Sequence, residues 1–118
     1  MRKIPAIIVM ITLFILSTLP GNDPFLNSVH LSDKIEHFIA YFTLGITFCI
    51  WIPSIKWFAK PFVYGLFVVF LCTVFGASDE YHQTFVPGRN GNLYDLATDF
   101  AGGITAVFAY FTLIKVKK

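Results

Sequence analysis

An all-α membrane protein, a bundle of four transmembrane helices with both termini cytoplasmic, is the fold class this sequence predicts, and three observations carry that reading. The first is composition: 56% of the 118 residues are hydrophobic and only 14% are charged, which is too apolar for an ordinary soluble domain of this length. The second is the grouping of the apolar residues into four runs, about 4–19, 33–52, 61–83 and 93–114, of a length that crosses a bilayer or nearly does. The third is where the basic residues stand. Arg2 and Lys3 precede the first run, Lys56 and Lys60 lie between the second and third, and Lys115, Lys117 and Lys118 follow the fourth. Four crossings put these segments on one side of the membrane, and the excess of Lys and Arg makes that side cytoplasmic. The expectation is one multi-pass transmembrane domain over 1–118 in the cell membrane.

Each element has its own signals. Met1, Arg2 and Lys3, the apolar run 4–19 and then Pro20 and Gly21 form a basic start, a hydrophobic stretch and a breaker. No small-x-small cleavage pattern precedes Pro20, so the run reads as a retained helix and not as a signal peptide. Residues 21–32 carry Asn22, Asp23, Pro24 and Asn27, which mark a loop. Ser32 suits an N-cap for the second helix, with Glu36 near the capping-box position. Pro53 ends that helix, and residues 54–60 read as a short connection with Trp51 and Trp57 as interfacial anchors. Pro61 is tolerated in the first turn of the third helix. Pro87, Gly88, Asn90, Gly91 and Asn92 then predict a turn before the fourth helix. Cys49 and Cys72 fall at different expected depths, so no disulfide is expected.

The chain is organised around the polar run Ser78, Asp79, Glu80, Tyr81, His82, Gln83, which follows directly on an apolar stretch. Counting helical rise places Asp79 about 25 Å from the start of its helix, near the outer edge of the hydrocarbon. His37 lies about one turn into the second helix and Tyr41 about two turns in, while Asp95 and Asp99 open the fourth. Asp33, His37 and Tyr41 share one helix face; Asp95, Asp99 and the pair Gly102 and Gly103 share another; Asp79 with His82 or Gln83 shares a third. Facing lipid, an ionised group costs roughly 2.5–3.5 kcal/mol near mid-bilayer. Turned inward, the three faces satisfy one another as a polar pocket open to the extracytoplasmic side, capped by the loop 87–92.

Simpler roles exist for some of these residues. Asp33, Glu36 and Asp95 suit the positive end of a helix dipole, Lys34 suits a snorkelling position, and Tyr41, Tyr81 and Tyr94 suit an aromatic belt. Gly102 and Gly103 read as a close helix-packing point. His37, Asp79, Glu80, His82, Arg89 and Asp99 together favour a functional pocket, because titratable groups inside membranes are usually functional.

These residues also carry a resemblance. Asp33, Lys34, Ile35, Glu36, His37 and Phe38 with Tyr41, the run from Ser78 through Gln83 to Pro87, Gly88 and Arg89, and Asp95 followed by Asp99 and the glycine pair are similar to the motifs of the VanZ-like family of small membrane proteins. The resemblance implies an envelope protein connected with resistance to the glycopeptide antibiotic teicoplanin, which acts on lipid-linked wall precursors outside the membrane. Asn is common in that family at the position of Asp99, so the acid here is a departure.

Three function classes follow. In the first, the pocket binds a lipid-linked or phosphorylated envelope component, such as a cell-wall precursor or a phospholipid. Arg89 contacts phosphate through its planar fork, and His37, Tyr41, Asp79, Glu80, His82, Gln83, Asp95 and Asp99 complete the polar contacts. In the second, the protein is a lipid head-group phosphatase or hydrolase with His37, Asp79, Glu80, His82 and Asp99 as candidate catalytic residues. His and carboxylates suit a divalent metal cofactor, although no strong metal-binding spacing is present. Arg89, Asp95 and Asp99 repeat the Arg-x5-His-x3-Asp spacing of phosphatidic-acid-phosphatase-type enzymes, with Asp95 where the histidine nucleophile belongs. In the third, the cluster is structural, orienting short helices or forming an oligomer interface. A formal charge of +2 gives no reason to expect a nucleic-acid partner, and transport is disfavoured because no charge lies within the cytoplasmic half of a helix.

Overall fold

The computed structural model describes residues 2–18, 33–87 and 93–117, with the side chains of Asp33, Lys34 and Leu93 outside that description. The described residues are helical and contain no strand: α1 (Ile4–Thr18), α2 (Asp33–Trp51), α3 (Ser54–Ala59), α4 (Pro61–Gln83) and α5 (Leu93–Lys117). By helical rise α4 and α5 extend about 34 and 37 Å, more than the hydrocarbon core of about 30 Å. Both are long and apolar enough to cross a membrane, and α1 and the Ile35–Trp51 part of α2 are shorter apolar helices. Large apolar side chains cover the outer surface, among them Ile8, Ile11 and Phe14 on α1, Phe62, Leu66 and Phe70 on α4, and Phe108 and Leu113 on α5. Water would not tolerate so extended an apolar surface, whereas lipid suits it.

Two local features differ from the sequence expectation. Residues 54–60 are not a plain connection, because Ser54–Ala59 forms a helix that abuts α4 through Lys60 and Pro61. Trp57 on that helix is not a lipid-facing anchor. It is fully buried, donates its indole N–H to the Cys49 carbonyl at 3.1 Å and packs against Tyr110 and Phe111. A protein contact that covers the ring and satisfies the N–H outcompetes a site in the interface. In addition, α5 runs beyond 114 to Lys117, and its terminal lysines complement the negative end of the helix dipole.

The helices meet through small residues. The most extensive interface joins α2 and α5, and Gly102 makes it close: a Cβ there would stand 2.9 Å from the Phe38 carbonyl oxygen and 3.0 Å from the Phe42 nitrogen. Gly103, the next residue, faces α4 instead, where a Cβ would stand 3.1 Å from Cys72 Cβ. Across the same seam, a Cβ on Gly45 would meet that of Ala106 at 2.6 Å. The glycine pair thus brings α5 against two helices at one level, as small residues do where apolar area gives no drive for association. Below it the core comprises Leu44, Phe48, Cys49, Val68, Cys72 and Trp57, and both cysteines are free.

The two ends of the bundle differ in charge. At one end Arg2 donates to the Ile50 carbonyl at 3.1 Å and the Lys3 ammonium lies 5.6 Å above the Trp51 ring, beside Lys56. His37 sits toward the opposite end of α2, about 20 Å from Ile50 by helical rise. The close seam yields an ordering that thermal denaturation in detergent can check. Gly102→Ala forces backbone apart, at about 1–3 kcal/mol, offset by the gain of about 1 kcal/mol for Ala over Gly in a helix. Gly65→Ala meets only a Val107 methyl, at 3.1 Å. Gly102→Ala is therefore expected to melt well below Gly65→Ala, and equal melting would contradict the seam.

Candidate functional site

Helical spacing decides which side chains can meet. On α2, His37 and Tyr41 are one turn apart and their rings stack, with centroids 6.5 Å apart and planes 9° from parallel. On α5, Asp95 and Asp99 repeat the same spacing, both buried, on the face that continues through Gly102, Gly103 and Ala106. On α4 the buried face runs Cys72, Gly76, Glu80, Gln83. Because α4 stays helical through Gln83, the polar run rides on the helix and does not leave it in a loop.

The close approach of α2 and α5 sets His37 between the two acids of α5. Its Nδ1 lies 2.9 Å from Asp99 Oδ1, a hydrogen bond in which the ring N–H donates to the carboxylate. Its Nε2 lies 3.8 Å from Asp95 Oδ2, and Glu80 Oε1 stands 4.0 Å from Nδ1. Those two separations allow charge attraction without a direct hydrogen bond. Asp99 is wholly buried, and Glu80 and Asp95 are each 8% exposed. Gly76 makes room for this on α4, since a Cβ there would stand 2.8 Å from Asp99 Oδ2. Tyr41 borders this cluster: it is 1% exposed and packs on Phe75. Its phenol lies within electrostatic reach of Asp79, Asp99 and Glu80. Neither the Tyr41 hydroxyl nor Asp99 Oδ2 has a hydrogen-bond partner among the described residues.

Measured against the sequence expectation, His37, Tyr41, Glu80, Asp95 and Asp99 assemble at one level of the bundle. Asp79 is half-buried beside them. The inward acid of the polar run is Glu80, not Asp79, because Glu80 shares the face of Gly76 and Cys72. His82 takes another direction: its ring lies on Phe14 of α1, centroids 5.0 Å apart. Gln83 is buried on the inward face of α4. Of the three tyrosines, Tyr81 and Tyr94 are exposed as belt residues would be, and Tyr41 is not. Arg89 and the capping loop from 88 to 92 lie outside the described residues, as do residues 19–32. Gly76 and Phe14 had not been anticipated. A glycine one turn before Glu80 in an otherwise apolar helix was the available signal for the first, and nothing in the sequence signalled the second.

This arrangement can hold a proton between imidazole and carboxylate, accept hydrogen bonds from a ligand, or receive a cation. It is poor ground for a bare anion, which its carboxylates repel.

The model of the VanZ/LLP1 family matches residues 4–115, nearly the whole chain. The chain belongs to that family, and with its apolar helices it is a VanZ-like membrane protein. No curated protein and no solved structure gives a significant match.

The buried pair generates a double-mutant prediction. His37→Ala and Asp99→Asn should each lower stability, and the double variant should be more stable than additivity implies, with a coupling of about 0.5–3 kcal/mol for directly bonded residues. Chemical denaturation of the four proteins in one detergent measures it, and strict additivity would deny the 2.9 Å contact.

Proposed function

We propose that the protein is a four-span envelope protein, one VanZ-like unit with cytoplasmic termini, whose polar pocket opens to the extracytoplasmic side and binds the head group of a lipid-linked or phosphorylated envelope component. The observation that carries this reading is the convergence of His37, Glu80, Asp95 and Asp99 from three apolar helices onto one level. Burying such groups among apolar helices is costly, and they mark function more often than architecture. The basic residues gathered at the far end, Arg2, Lys3 and Lys56, support the orientation through the positive-inside tendency. Arg89 is the proposed phosphate contact, with Asp79 at the rim and Gln83 on the inward face of α4. Family membership supports an envelope role, and through it the link to teicoplanin.

A second reading, a head-group hydrolase, draws on one specific contact. An imidazole hydrogen-bonded at 2.9 Å to a wholly buried carboxylate is a base held in place by its orienting acid. In this reading His37 serves as general base and Asp99 positions it. Turnover of a phospholipid or polyprenyl-phosphate substrate by purified protein, lost in His37→Gln, would move the conclusion from binding to catalysis.

Two measurements test the proposal. Alkaline phosphatase fused after Lys118 should be inactive, and fused within residues 19–32 active; the reverse pattern would invert the pocket. Native mass spectrometry of gently purified protein should show a co-purifying phosphorylated lipid that Arg89→Ala loses. No such species in either protein would remove the head-group reading.

A further inference from the structure

We propose that His37, Glu80 and Asp99 form a binding site for a single divalent transition-metal ion. The inference concerns the same pocket as the proposed function, yet its donors stand independently of what lipid the pocket accepts. One imidazole nitrogen and one oxygen from each carboxylate lie within 4.8 Å of one another. Donors bound at about 2.1 Å around a tetrahedral or octahedral ion stand about 3.0–3.4 Å apart. The separations from His37 Nδ1, 2.9 Å to Asp99 and 4.0 Å to Glu80, bracket that value. The donor set as a whole spans up to 4.8 Å, so seating an ion draws the Glu80 side chain inward by roughly 1 Å.

A second observation points to a cation here. Asp99, wholly buried, leaves Oδ2 without a hydrogen-bond partner among the described residues, and the Tyr41 hydroxyl, also buried and within electrostatic reach of Asp99, Glu80 and Asp79, has none among them either. Buried polar atoms are almost always satisfied. An ion on Asp99, with a water on its open positions, satisfies both. Two of the three donors are also held by their surroundings. Tyr41 stacks on the His37 ring, and Gly76 leaves the space that Asp99 Oδ2 occupies.

The chemistry of the donors sets the ion. One imidazole and two carboxylates suit zinc, manganese or ferrous iron better than magnesium or calcium, which prefer oxygen alone. Metal binding requires the neutral ring, with Nδ1 giving its lone pair to the ion and Nε2 carrying the proton. Asp95, 3.8 Å from Nε2, then acts as the outer carboxylate that fixes this tautomer, as is usual for metal-bound histidine. The ion also answers the repulsion between this acidic pocket and an anionic head group, because a cation with open positions draws phosphate oxygen.

The test uses full-length protein purified without a polyhistidine tag, stripped by chelator and titrated with zinc or manganese in detergent. Wild type is expected to hold about one ion per chain by elemental analysis and to melt at a higher temperature when loaded. His37→Gln and Asp99→Asn should weaken binding at least as much as Asp95→Asn, for which an outer partner implies about 10–100-fold. If a variant does not fold, the wild-type melting response alone decides. A wild type that retains no ion and gains no thermal stability from zinc or manganese overturns the site. So does equal affinity in folded His37→Gln. Lipid measured in the same samples separates the two ideas: phosphorylated lipid without metal sinks the metal site alone, and metal without such lipid sinks the head-group reading alone.

Discussion

The contact on which the rest depends is the backbone approach of α5 to α2 at Gly102, where no side chain larger than hydrogen fits against the Phe38 carbonyl. That approach fixes the register of the two helices. Asp99 lies one turn before it on α5, and His37 lies beside Phe38 on α2, so their 2.9 Å contact follows from the glycine and not from any loop. Gly103 repeats the device toward α4 at Cys72. With α4 held there, Gly76 and Glu80 stand one and two turns further along it, at the level of the histidine. Two adjacent glycines thereby place three titratable helices in register.

Packing and chemistry are linked by what such a register costs. Three carboxylates and one imidazole within a few ångströms are stable only where mutual pairing, water or a cation offsets their desolvation. Apolar helices packed as a structural bundle need none of them, and Leu at these positions would pack with less penalty. Their joint presence at one end, with Arg2, Lys3 and Lys56 gathered at the other, gives the described helices a chemical polarity along their axes. The proposed pocket for an envelope ligand uses both ends.

Much of this was legible in the sequence because lipid imposes simple rules. Runs of apolar residues closed by Pro, Gly and Asn located the long helices, and i, i+4 spacing correctly paired His37 with Tyr41 and Asp95 with Asp99. What lies across an interface was not legible. Asp79 was expected to lead the inward face, yet the burial of Cys72, Gly76 and Glu80 rotates α4 so that Glu80 leads it. Trp57 carries the composition of an interfacial anchor, and only the proximity of Cys49, Tyr110 and Phe111 shows it to be core. The helix Ser54–Ala59 escaped notice because six residues between two prolines are too few to display a helical period.

The claim at the centre is the direct contact between His37 and Asp99, and solid-state NMR of the protein in lipid bilayers measures it most directly. With histidine labelled by nitrogen-15 and aspartate by carbon-13, Asp99→Asn assigns the carboxyl signal. A carboxyl carbon within about 4 Å of the His37 ring nitrogen is expected from a 2.9 Å hydrogen bond. No measurable coupling between the two, in protein shown to be folded, would contradict the assembly of the site.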